Sequence, residues 1–574
     1  MNVYSNQKER TLPFRRFFSL CTKVLLCSFI FVHTTVAQSY KPNQSAVVSA
    51  HPLATQAGQQ TLAKGGNAFD AAVTVSSMLG VVEPFGSGIG GGAFWLIYQA
   101  KTDRYFVIDA REVAPLAAHA DMYLDNHGNV LEGASTSGPL AAGIPGLPAA
   151  WVDINNRLGT LPLKNVLGPA IKMAQEGFPV DERYIAGASY KISQLRQNSD
   201  AASIFLDNNN VPEKGWNLIQ NDLAQTVSLI AEKGMSGFYG GDIAQALVTD
   251  VRKHGGIWSL EDLSQYSVIE REPVLINYKG AKIIAPPLPS SGGLVLKNIF
   301  NILSGYNLEN LSATERKHLI IEAMRHGYHN RALHMGDSDF VPVPTDKITS
   351  LEMVNHQRSL IFLDKATPSA TLSAVKETKP KGTETTHFSI IDSQGNMVAV
   401  TQSINFWFGS GFVAKGTGVL LNNEMDDFTM KPGVANGYGL VGTKANAIAP
   451  KKRMLSSMTP VFVMDKNKRA ILGTPGGSRI ISMNLLAILS FLDGMSGEDI
   501  VSMPRYHHQF LPDKVIYETG AFTKDEFSSL QQKGHNLLLS PRQYGNMQMI
   551  IWNYKNSFIK TYSDPRGDGT GRVY

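Results

Sequence analysis

The sequence predicts a mixed α/β (α+β) protein folded as one compact domain. Three observations carry this. Residues 52–79 repeat apolar positions at helical spacing. Residues 387–404 read as a hairpin, HFSIID and MVAVTQSI around the turn SQGN. Patterns of both kinds recur along all 574 residues, and no linker divides them into autonomous units. Strands and helices on both sides of any cut would need partners across it.

The elements follow in order. The first 37 residues read as a secretory signal: a basic region with Arg15 and Arg16, the apolar run Val24 to Val32, and Ala37 as the cleavage point. That run is too short for a membrane helix, so export to the periplasm or medium is expected rather than an uncleaved anchor. RRFF also hints at a twin-arginine signal. Next come two helices in 52–79, the second capped by Asn67, then the glycine loop EPFGSGIGGG entering the strand AFWLIY. Residues 222–251 read as a helix pair, 271–286 as strands, and 294–303 and 313–333 as helices. The polar stretch 366–384 reads as an exposed processing loop before the hairpin. A loop region spans 422–452, a strand follows near 460–464, and TPGGS turns into an apolar helix.

Composition excludes several classes. The net charge of +5 is concentrated at the start, where the first 37 residues carry +4; the rest holds 48 basic against 47 acidic residues. That balance gives no reason to expect nucleic acid as a partner. Both cysteines, Cys21 and Cys27, lie in the signal. The mature chain would have no disulfide, thiolate nucleophile or cysteine metal site.

Some motifs mislead. Gly86, Gly88 and Gly91 fit G-x-G-x-x-G, but a helix precedes them and a strand follows, the reverse of a dinucleotide fold. A tight turn allowing close backbone packing is the expectation. His318, Glu322, His326 and His329 share a helix face, and His507 and His508 adjoin. A solvated face and a structural role are expected there, and no metal.

The junction KGTETTHFSIID is different, because it sits between an accessible loop and an anchored strand. A threonine hydroxyl is a weak nucleophile until a base takes its proton. A cut between Glu384 and Thr385 would supply that base as the new α-amino group, with a pKa of roughly 7.7–8.0. Before the cut, the same hydroxyl could attack the Glu384 carbonyl. Downstream, NNEMDDF at 422–428 crowds three carboxylates that are either solvated or aimed at a cation. LSSM at 455–458 offers two hydroxyls. TPGGS at 474–478 presents backbone N–H groups before a helix, suited to an oxyanion.

Together TTHFSIID, SIN…FGSG, NNEMDDF, LSSM, PGGSR and SDPRGDG, with VVEPFGSGIGGGAF, DAREVAP, GIPG, PPLPSSGG and MGDSDF, closely resemble the γ-glutamyltranspeptidase family from about residue 44 onward. The resemblance implies the four-layer αββα sandwich of the N-terminal nucleophile hydrolases. It implies a signal at 1–37, a large subunit at 38–384 and a small catalytic subunit at 385–574 that pair as a heterodimer. It implies transfer of a γ-glutamyl group from glutathione or other γ-glutamyl amides to water, an amino acid or a peptide, with no cofactor. Thr385 matches the nucleophile and Ser403 the hydroxyl that orients it. Gly476 and Gly477 match the oxyanion hole. Arg111 matches the binder of the substrate α-carboxylate, helped by Ser456 and Ser457. Asn405, Glu424 and Asp427 match the α-ammonium group, and Tyr438 lies in a lid spanning 432–451. The chain departs at Ser403, where many members have threonine, at Met454, where a proline often stands, and at Glu384. Two rivals remain: a cephalosporin or glutaryl acylase of the same fold, and a processed but inactive binding protein.

Overall fold

The computed structural model describes residues 41–372 and 385–574. The signal, both cysteines and Lys381 to Glu384 lie outside them.

Two antiparallel sheets form the frame. One orders the strands Thr570–Val573, Ala46–Ser49, Thr386–Ile391, Met397–Ser403, Gly92–Gln99, Arg104–Ala110 and Ile269–Arg271. The other orders Phe558–Ser563, Gln548–Asn553, Lys468–Gly473, Val461–Met464, Ala281–Ala285 and Val274–Tyr278. Strand alternation decides which layers they face. Phe94, Leu96, Met397 and Ala399 meet Phe462, Ile471, Ile550 and Trp552 in a core between the sheets. Ala93, Trp95, Ile97, Phe388 and Val400 point the other way, into a core shared with helices Pro52–Ala63, Ala68–Val82 and Leu147–Leu158. On the far face of the second sheet, Ile283, Val463 and Leu472 pack on helices Gly292–Leu303, Ala313–His334 and Ile480–Leu492. The layers therefore run helix, sheet, sheet, helix.

Local chemistry explains the individual elements. Asn67 caps its helix in a reciprocal box: its side chain accepts from Asp70 N (3.0 Å), and Asp70 Oδ2 accepts from Asn67 N (3.0 Å). That helix is apolar on every face and buried on every face. The strand Gly92–Gln99 is a near-continuous apolar run because helices cover one side and the second sheet the other. The hairpin closes where Asp392 Oδ1 accepts from Gln394 N and Asn396 N (both 3.0 Å), with Gly395 at φ 89°.

The glycine loop packs as expected. A Cβ on Gly91 would stand 2.0 Å from Ser403 O, and one on Gly90 2.0 Å from Leu420 O. Three features depart from the sequence reading. Helices Leu163–Glu176, Glu182–Leu195 and Ser199–Phe205 fill a region left unassigned. Within the polar stretch from 366, Thr367 and Ser369 are buried and hydrogen-bonded rather than exposed. On the histidine face of Ala313–His334, His318, Glu322 and His326 are also buried rather than solvated, and His329 is half-buried. Among the described residues no helix is long and apolar enough to cross a membrane.

Candidate active site

Sheet register brings the two hydroxyls together. Thr386 pairs with Gln402, so the preceding Thr385 lies beside Ser403. Their oxygens are 3.5 Å apart. Ser403 Oγ also accepts from Asn405 N (2.8 Å). Asn405 holds φ 76°, a conformation that asparagine tolerates better than most residues, and its side chain donates to Asn423 O (2.9 Å). Thr385 is only 3% exposed, so the junction is less accessible than its polar neighbours suggested.

Opposite lies a charged cluster. The three carboxylates of NNEMDDF sit on a short turn, Glu424–Asp427. Of the two fates open to them, the fold selects the cation for two. Arg111 Nη1 donates to Glu424, and Arg111 Nη2 donates to Asp427 Oδ2 (2.6 Å). The third, Asp426, accepts from Ser135 Oγ (2.8 Å) and Gly437 N (2.8 Å). Glu112 adds a further carboxylate, 3.4 Å from Arg111 Nη1. Arg111, Glu112 and Glu424 are all at most 1% exposed. Burial pushes Glu424 up to about 7; Arg111 opposes this and the charge of Asp427 adds to it. Burial raises Glu112 and Asp427 as well. One Glu112 oxygen and one Glu424 oxygen are buried without a hydrogen-bond partner. One guanidinium thus faces three carboxylates, an arrangement that a second positive charge would relieve.

The remaining wall is backbone. Ser456 is tied by its N–H to Pro289 O (2.7 Å) and by its carbonyl to Ser291 N (2.8 Å), with Ser457 next to it. Gly476 and Gly477 adopt φ 140° and 56° just before helix Ile480–Leu492. Glycine is required at 477 because a Cβ would stand 2.3 Å from the Tyr438 ring. Tyr438 covers this turn and donates to Asn405 O (3.1 Å). Arg111, Thr385, Ser403, Asn405, Glu424, Asp427, Tyr438, Ser456, Ser457 and Gly477 all line one cavity of about 20 Å³, room for about one water. Gly476 is not among the residues that line it.

Sequence reading missed Glu112 and Glu83. Glu83 accepts from Thr386 Oγ1 (2.6 Å), next to Thr385. Glu83 closes the apolar run LGVV, a signal that was there to use, whereas Glu112 directly follows Arg111 in a charged stretch and gives none.

The histidines assemble elsewhere and differently. Ligand atoms of His318, Glu322 and His535 lie within 4.8 Å of one another, whereas His326 and His329 stand apart from that group. His318 Nε2 meets Phe362 O (2.7 Å), so it carries the proton, and His318 Nδ1 accepts from His535 Nε2 (2.7 Å). Glu322 accepts from Arg325 Nε (3.2 Å) and Thr367 N (3.2 Å). Both ring nitrogens of His318, Nε2 of His535 and both Glu322 oxygens are already engaged in protein hydrogen bonds.

The family model for gamma-glutamyltranspeptidase matches residues 54–574. A glutathione hydrolase proenzyme of Pseudomonas sp. (strain A14) is 41% identical over 528 residues, 90% of each chain. An acylase ACY 1 proenzyme of Pseudomonas sp. (strain V22) is 34% identical over 522 residues, 89% of this chain and 90% of its own. The crystal structure of cephalosporin acylase from Bacillus halodurans superposes with a TM-score of 0.80 at 26% identity, covering 93% of this chain and 96% of its own. The chain belongs to the gamma-glutamyltranspeptidase family.

Proposed function

We propose that the protein is an exported γ-glutamyltransferase and glutathione hydrolase. It cuts itself between Glu384 and Thr385, and the chains 38–384 and 385–574 remain paired. The observation that carries this reading is one pocket with a threonine hydroxyl at one end and a guanidinium among carboxylates at the other.

In maturation, Thr385 Oγ attacks the Glu384 carbonyl, the acyl group moves from nitrogen to oxygen, and water hydrolyses the ester. The freed α-amine then serves as the base. In turnover, Thr385 Oγ attacks the γ-carbonyl carbon, its proton passes through the α-amine to the amide nitrogen, and the C–N bond breaks to release the amine. Ser403 orients the hydroxyl, and the N–H groups of Gly476 and Gly477 at a helix N-terminus receive the developing oxyanion. The γ-glutamyl ester passes to water or to an amine. Nucleophile, base and oxyanion donors all come from the chain, so no cofactor is needed.

The charged end supports γ-glutamyl over glutaryl substrates. Arg111 is paired internally with Glu424 and Asp427. A zwitterion replaces both halves of that pairing: its carboxylate takes Arg111 with Ser456 and Ser457, and its ammonium takes Glu424, Asp427 and Asn405. A glutaryl group brings only the carboxylate and leaves two buried acids uncompensated. Tyr438 must move to admit either, which suits a lid.

The test compares γ-glutamyl-4-nitroanilide with glutaryl-4-nitroanilide on purified protein, with Thr385→Ala as blank. We expect kcat/KM to favour the γ-glutamyl substrate by about 100-fold or more. The reverse preference would make the protein an acylase. Turnover no greater than the blank would make it a binding protein.

A further inference from the structure

Thr385 stands just outside the sheet ladder, because the strand Thr386–Ile391 begins one residue later. The cut between Glu384 and Thr385 makes it a chain terminus with a neighbour on one side. Termini fray unless something ties them down, and a nucleophile a fraction of an ångström out of place loses rate. The neighbour that can tie it down is Thr386.

Thr386 is held in two ways. Its backbone is in register with Gln402. Gln402 is fastened to the helix layer: Ser76 Oγ donates to Gln402 Oε1 (2.6 Å), and Gln402 Nε2 donates to Ser76 O (3.2 Å) and Ser87 Oγ (3.1 Å). The Thr386 side chain is held by Glu83, whose Oε2 accepts from Thr386 Oγ1 (2.6 Å). Glu83 is itself fixed at the end of helix Ala68–Val82. Its N–H donates to Leu79 O (2.9 Å), and its carbonyl accepts from Gly86 N (2.9 Å) and Ser87 N (3.1 Å). Arg183 Nη1 stands 3.5 Å from the other Glu83 carboxylate oxygen, and its guanidinium lies over the Phe85 ring at 5.7 Å. Glu83 and Thr386 are both buried. A hydroxyl donating to an ionised carboxylate makes a bond about twice as strong as one between neutral groups.

We propose that Glu83 is a positioning residue for the nucleophile. Through Thr386 it fixes the start of the strand, so that Thr385 Oγ is aimed first at the Glu384 carbonyl and then at the substrate's γ-carbonyl. Neither Glu83 nor Thr386 is among the residues that line the site cavity. The carboxylate therefore acts through the strand and not on the substrate, and its loss falls on cleavage and kcat rather than on KM. The inference rests on the functional reading above.

The test uses the full chain. Thr386→Val keeps the side-chain shape and deletes the hydroxyl, whereas Thr386→Ser keeps the hydroxyl. Intact mass over time reads self-cleavage, γ-glutamyl-4-nitroanilide reads kcat and KM per cleaved enzyme, and thermal melts read folding. We expect Thr386→Val to slow cleavage and to lower kcat by about tenfold or more, with KM within about twofold of wild type. Thr386→Ser should stay within about threefold of wild type in both rates. Glu83→Gln, a weaker acceptor, should lower both rates by itself but not further in Thr386→Val, where no hydroxyl is left to hold. Should Thr386→Val fail to fold, Glu83→Gln alone decides by the same split between kcat and KM.

Unchanged rates in Thr386→Val, or an equal loss in Thr386→Ser, overturn the proposal. So does a KM that rises as kcat falls, or full additivity of the two substitutions. A wild type that neither cleaves nor releases nitroaniline overturns the functional reading, and this inference with it. If the wild type cleaves without releasing nitroaniline, the substrate reading alone falls, and the cleavage rates decide on Glu83.

Discussion

Two buried clusters in this protein hold the residue types that carry chemistry, and they are built to different ends. Around Arg325 the charges are paired with one another. Arg325 pairs with Asp513 and Glu322 and donates to Ser369 Oγ (2.6 Å), while His508 Nε2 meets Asp513 Oδ1 (3.1 Å). These contacts fasten the segment around Thr367 and Ser369 to residues on both sides of Thr385. Around Arg111 the charges do not close. Three carboxylates share one guanidinium, two of their oxygens lack partners, and a hydroxyl and a glycine turn face them. A polar cluster that satisfies itself stabilises the fold; one left with excess charge is arranged for a ligand.

Substitutions can break or sharpen that contrast. The largest effect belongs to Thr385→Ala, which should abolish turnover by at least about 10⁴-fold and leave one uncleaved chain. Intact mass under denaturing conditions reads the second outcome, and normal cleavage would refute the self-processing mechanism. Arg111→Gln should raise KM for γ-glutamyl substrates by about 100-fold, because the acids lose their counter-charge and the substrate its carboxylate partner. An unchanged KM would remove Arg111 from the substrate's carboxylate.

Arg325→Gln should act in the opposite sense. Losing one partner of a buried pair costs about 3–5 kcal/mol, so the melting temperature should fall by several degrees. The kcat of the folded fraction should hold, and a selective loss of kcat would erase the distinction between the clusters. Ser403→Ala should slow turnover by about 10–100-fold, with activity restored in Ser403→Thr. Equal loss in both variants would mean that packing, not the hydroxyl, matters there.

The smallest effect is on pH dependence. Burial lowers His508 from 6.5 to about 4 and His387 to about 3. Between those values and 6.5 the unfolded chain binds protons that the folded chain refuses. Their contribution to stability is therefore present above about 6.5 and lost as pH falls toward 4 and 3. His508→Gln should flatten this slope in thermal melts between pH 7 and 5, and an unaltered slope would mean that His508 is not its source.

Much of the fold was legible because its signals are local. Asn67 before an apolar run announces a capped helix. SQGN between two strands announces a hairpin, and TPGGS announces a turn into a helix. Helices Glu182–Leu195 and Ser199–Phe205 were not read, since each buries only one stripe and carries many polar residues. Glu112 went unread because its meaning depends on Arg111 turning toward Glu424, 313 positions away. The histidines of Ala313–His334 were misread as solvated because spacing identifies a face, not what covers it.

By itself the sequence determined which segments become strands or helices, where the turns fall, and which residues stand at the Thr385 junction. Those properties follow from side-chain period, capping and turn chemistry within a few residues. Only the tertiary structure decided that Glu424 and Asp427 meet Arg111, that Tyr438 covers the glycine turn, and that the histidine cluster is buried among paired charges while the Arg111 site is left with excess charge. Charge pairing and burial depend on distances between residues hundreds of positions apart, and those distances exist only once the two sheets have stacked.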